Sequence, residues 1–60
     1  MMIYYVYRIA LDDEAKLVWM TDDRDEALMV RDTCYKALEQ ERKNGEMIQN
    51  YRYIVIQDMH

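Results

Sequence analysis

The sequence predicts an α+β domain of ββαβ order: a three-stranded antiparallel sheet in strand order 2-1-3, with one helix packed on one face. Three observations carry that prediction. Five of the six tyrosines fall in two short runs near opposite ends of the chain, Tyr4, Tyr5 and Tyr7 in one and Tyr51 and Tyr53 in the other. Both runs lie among the aromatic and β-branched side chains that favour strands. Between them is a long charged stretch whose apolar residues recur at spacings of three and four, the period of a helix. A right-handed crossover from the second strand through that helix to the third then places the first strand in the middle.

Met2 to Leu11 has no helical breaker and reads as the first strand. Asp12 to Ala15 is polar and suits a hairpin loop of four or five residues. It lacks the Asn-Gly pair of a tight turn, so the register stays open. Lys16 to Met20 is a short second strand. Thr21 offers an oxygen for a helix N-cap, with Asp22 and Asp23 as competing caps, and Asp23 has Glu26 at capping-box spacing. The helix is expected from about Asp22 to Lys43, with acids in its first turn and Arg42 and Lys43 in its last, as the helix dipole prefers. Gly45, the single glycine of the chain, can adopt the left-handed conformation that ends a helix.

Ala27, Val30, Cys34 and Leu38 mark the apolar helix face, flanked by Leu28, Tyr35 and Ala37. Asp25, Met29, Asp32, Lys36, Gln40 and Lys43 fall opposite, where Asp32 with Lys36 and Glu39 with Lys43 are pairs in the favourable order. Glu46 to Asn50 is a connector in which Met47 or Ile48 is placed to pack on the last helical turn. Tyr51 to Gln57 is the third strand. The expected core sets Ile3, Val6, Ile9, Val18, Ile54 and Ile56 against the helix stripe.

Sixty residues make one domain, residues 1–60, which buries only about 60% of its unfolded surface. Such chains usually need disulfides, a metal or an oligomer. One cysteine forms no internal disulfide, and no Cys/His cluster suggests zinc. Self-association or partner binding is what remains. The lone cysteine and the lack of a signal peptide point to the cytoplasm. The apolar start is interrupted by Arg8 and is too short to span a bilayer, so no membrane role is expected. A net charge of −4 and an isoelectric point near 4.7 argue against non-specific nucleic-acid binding, which needs basic residues.

No enzyme is expected. The chain has no serine, and Cys34 sits on the apolar helix stripe, where free cysteine behaves as a small hydrophobe. His60 is the last residue, a poor position for a general base that must be held rigidly. Seven acids lie between Asp12 and Glu26. Neither Asp12, Asp13 and Glu14 nor Asp22, Asp23 and Asp25 has the glycine and alternate-position pattern of a calcium loop, so no metal or cofactor is expected.

Neighbouring residues of a strand point to opposite faces, so Tyr4 and Tyr5 place aromatic surface on both sides of the sheet. One helix covers only one side. The sequence therefore predicts a protein-binding or regulatory module that acts through a tyrosine-rich sheet face or edge, with Tyr4, Tyr5, Tyr7, Trp19, Tyr51 and Tyr53 as candidate contacts. Trp19 is also a candidate core residue. The partner is a second copy of the chain or a larger protein, and an acidic chain of this size would suit a phage or mobile-element inhibitor of a host protein. In an alternative, Asp22, Asp23, Asp25 and Glu26 mimic nucleic acid on another protein's binding site. In a third, the tyrosines stack single-stranded bases, though the positive groove that such platforms carry is poorly supplied here.

Overall fold

The computed structural model describes residues 1–11, 14–45 and 51–59. It has four elements, β1 (Met2–Ile9), β2 (Lys16–Thr21), α1 (Arg24–Lys43) and β3 (Arg52–Met59). The sheet order is β2-β1-β3, and β1 pairs antiparallel with both neighbours. The α+β architecture and strand order are those the sequence predicts. Asp12 and Asp13 of the hairpin loop, the connector Glu46 to Asn50 and His60 lie outside the described residues.

Of the three candidate caps, Asp23 is the N-cap of helix α1. The Asp23 carboxylate accepts from the backbone N–H groups of Asp25 at 2.9 Å and Glu26 at 3.4 Å, satisfying two donors that have no partner inside the helix. Thr21 supports the cap from outside, its hydroxyl accepting from the Asp23 N–H at 3.1 Å. At the other end, the Asn44 N–H donates to the Gln40 carbonyl and the Gly45 N–H to the Arg42 carbonyl. Gly45 has φ of +77°, a backbone conformation that costs most other residues about 1–2 kcal/mol. Asp32 forms an ion pair with its neighbour Arg31 at 3.3 Å, where the sequence had suggested Lys36. Exposed as it is, such a pair contributes little.

The strand pairings fix which side chains share a face. Val6 stands opposite Trp19 on one side and Val55 on the other. Val6 is fully buried under the helix, with Ala10, Ala27 and Leu38 as the other buried apolar residues among those described. By alternation, Tyr4, Val6, Arg8, Tyr53 and Val55 face α1. Ile3, Tyr5, Tyr7, Ile9, Ile54 and Ile56 face away from it.

This register corrects the expected core. Ile3, Ile9, Ile54 and Ile56 do not pack against the helix stripe, because β1 is apolar on both faces and its pattern alone does not say which face is covered. Val6 is the expected core residue that the helix does cover, joined by Val55. Val18 falls in a register shift, where β1 advances from Val6 to Tyr7 while β2 steps from Trp19 to Leu17. This extra residue is a β-bulge, two residues of one strand facing one of its partner. Val18 is left 39% exposed and adds little to the core.

Candidate binding surface

Among the described residues, none forms a layer over the face of the sheet away from α1. The structure is two layers deep, with a shortest Cα extent of 10 Å. On this open face β1 contributes Ile3, Tyr5, Tyr7 and Ile9. Register brings Met20 and Ile56 to either side of Tyr5, and Leu17 and Ile54 to either side of Tyr7. The Tyr5 and Tyr7 rings lie 6.3 Å apart between centroids, and together with Ile54, Ile56 and Asp58 they line one shallow concavity. Leu17, Met20 and Ile56 are 53%, 60% and 45% exposed. Arg52, opposite Ile9, and Asp58, opposite Ile3, place one charge of each sign at the two ends of β3.

Two of the six candidate contacts, Tyr5 and Tyr7, belong to this face. Tyr4 lies on the helix side, in a depression shared with Leu28, Arg31 and Val55. Tyr53 packs edge-on against Tyr35 of α1, centroids 5.2 Å apart. Burial raises the Tyr53 phenol above its ordinary value, with the neighbouring Cys34 adding to the effect. The Arg8 guanidinium stacks over the Tyr51 ring at 4.6 Å, a cation–π arrangement that holds the ring on the helix side. Alternation thus separates the tyrosines as the sequence requires, with aromatic surface on both sides.

Trp19 also turns toward the helix. It faces Val6, and its indole N–H donates to the Glu26 carboxylate at 3.2 Å. It closes the gap between β2 and the first turn of α1 while staying 46% exposed, so it is neither a deep core residue nor part of the open face. The bulge at Val18 brings this about. Without it, Trp19 and Leu17 would share one side.

Two of the four acids of the helix start, Asp23 and Glu26, are engaged in local structure. Asp23 is the cap. The Glu26 carboxyl is held below its ordinary value, first by the Thr21 hydroxyl and then by the Trp19 indole. Asp22 and Asp25 are exposed. Among the described residues, no group of three His, Cys, Asp or Glu side chains is placed to hold a metal ion. Cys34 is half-buried on the helix stripe. No described helix is long and apolar enough to cross a membrane.

What the sequence did not reveal is the membership of the open face. Leu17, Met20, Ile54 and Ile56 were not singled out as contacts, and only the register and the bulge bring them together. No family model, curated protein or solved structure matches the chain.

Proposed function

We propose that this chain is a non-enzymatic protein-binding module whose contact surface is the open face of its sheet. One observation carries the reading: a continuous apolar surface built on Tyr5, Tyr7, Leu17, Met20, Ile54 and Ile56 has no layer over it within the described structure. Three strands about 4.8 Å apart and some 26 Å long give a flat footprint of roughly 400 Å². That lies within the range of the largest apolar patch on ordinary monomers, which is often functional. Tyrosine suits such a surface, with an apolar body and a hydroxyl that tolerates water.

Protein is favoured over nucleic acid as the partner. The chain is acidic, with a net charge of −4, and Arg52 on this face is offset by Asp58. The nucleic-acid-mimic reading has less support, because Asp23 and Glu26 already serve the helix start and Trp19. A cytoplasmic protein fits the lone half-buried thiol.

The test is photo-crosslinking in the source cell, with a photoreactive residue at position 7 on the open face or at position 29 on the outer helix face. The expected result is a discrete protein adduct from position 7 and none from position 29. Equal labelling from the two positions, or no adduct from position 7, would remove the open face as the contact surface.

A further inference from the structure

The open face has an internal symmetry. Reading across the strands, one row is Met20–Tyr5–Ile56 and the next is Leu17–Tyr7–Ile54. Each row has an unbranched or γ-branched apolar residue on β2, a tyrosine on β1 and an isoleucine on β3. The flanking rows are Ile3 with Asp58 and Ile9 with Arg52, an isoleucine beside a charge, with the sign reversed. The pattern is a palindrome about the line through Trp19, Val6 and Val55, whose side chains point the other way.

Resting on the reading of this face as the contact surface, we propose that its occupant is a second copy of the chain. The two copies pack face to face about a two-fold axis in the interface plane, perpendicular to the strands at the level of Val6. That operation exchanges the two rows. Tyr5 of one copy meets Tyr7 of the other, Ile54 meets Ile56, Leu17 meets Met20 and Ile3 meets Ile9. At the ends, Arg52 approaches Asp58 of the second copy, twice. An isologous interface requires this kind of self-complementarity, and aligned packing of twisted sheets, offset by about 30°, accommodates it.

Two further features favour this occupant. The buried apolar residues described within one copy are Val6, Ala10, Ala27 and Leu38, of which Val6 alone is a large side chain wholly out of water. A two-layer domain of this size gains a second core when two sheets stack about 10 Å apart. The edges are less receptive. The outward backbone groups of β3 at Tyr53 are already bonded to the Tyr35 hydroxyl, and the bulge at Val18 breaks the regularity of β2.

The experiment is sedimentation equilibrium of the untagged chain from about 2 to 200 μM, followed by register mapping with cysteines in a Cys34→Ala background. The expected mass is twice 7.4 kDa at the upper concentrations. The thermal midpoint should rise with protein concentration, as it does when association stabilises the folded state. That measurement needs no variant. On oxidation, an equimolar mixture of Ile3→Cys and Ile9→Cys chains should form a covalent dimer, while either chain alone should form several-fold less. Self-crosslinking of Ile3→Cys chains alone would overturn the proposed axis. A single-chain mass at 200 μM, with a concentration-independent midpoint, would overturn the second copy and leave the open face available to another protein. A double mass that persists in a folded Ile54→Lys chain would show that association uses another surface, and would overturn the second copy as the occupant of this face.

Discussion

The hydroxyl of Tyr35 holds both backbone groups of Tyr53, accepting from its N–H at 2.9 Å and donating to its carbonyl at 3.2 Å. In an antiparallel strand, the N–H and C=O of one residue point to the same side. Those of Tyr53 therefore point outward from the sheet, where a further strand would otherwise dock. A side chain of the helix thus takes the place of an added strand at this position. The edge-on packing of the two rings holds the hydroxyl there. The clamp ties α1 to β3 and blunts an edge at the same time.

Replacing Tyr35 by phenylalanine keeps the ring contact and removes both hydrogen bonds. The expected cost is about 1 kcal/mol, within the range of net hydrogen-bond contributions, since water can reach the freed groups. The Tyr53 amide should exchange with solvent several-fold faster, as followed by amide hydrogen exchange. Unchanged protection at Tyr53 would mean that the clamp does not hold in solution.

Among the described residues, Val6 is the large side chain wholly removed from water. Val6→Ala deletes two methyl groups beneath the helix, and the lost transfer energy plus the cavity should cost roughly 2–3 kcal/mol in urea denaturation. Met29→Ala, on the outer helix face at 67% exposure, should change stability by less than about 0.5 kcal/mol. Equal effects would contradict the assignment of the covered face.

Glu26 gives the helix start an acid sensitivity whose sign follows from its partners. The Thr21 hydroxyl and the Trp19 indole both favour the carboxylate, so the folded-state pKa lies below the ordinary value. Its contribution is present above the unfolded pKa, about 4.3, and is lost as pH falls through the lower folded value. Between pH 5 and 3 the wild type should therefore lose more stability than Glu26→Gln, and Trp19 fluorescence should respond over the same range. Parallel stability curves for the two chains would show that the Trp19–Glu26 bond has no such role.

Much of the architecture was legible in the chain. Strand runs, helix period and the stop at Gly45 are local signals, and the 2-1-3 order follows from chain connectivity once the elements are placed. The two sides of the sheet were harder to tell apart. β1 alternates between two largely apolar sets, Ile3, Tyr5, Tyr7 and Ile9 against Met2, Tyr4, Val6 and Arg8, and either set could have met the helix. The choice is made by long-range packing, which a one-strand pattern does not encode. Trp19 was ambiguous for a related reason, since its side depends on a bulge with no sequence marker. Tyr35 was visible at the flank of the helix stripe, but its hydrogen bonds depend on where β3 passes.

The bulge at Val18 acts as a change of reading frame within a strand of six residues. Before it, odd-numbered positions such as Leu17 point away from the helix, and after it the odd-numbered Trp19 and Thr21 point toward it. A single added residue thus lets β2 serve two neighbours in turn. Its first half supplies the open side, and its second half supplies Trp19 and Thr21 to the helix start, with Met20 returning to the open side between them. Length at this position sets which molecule each side chain meets. Were Val18 paired regularly instead of bulged, Trp19 would stand opposite Tyr5 and bring its indole to the open face, leaving Glu26 without its donor.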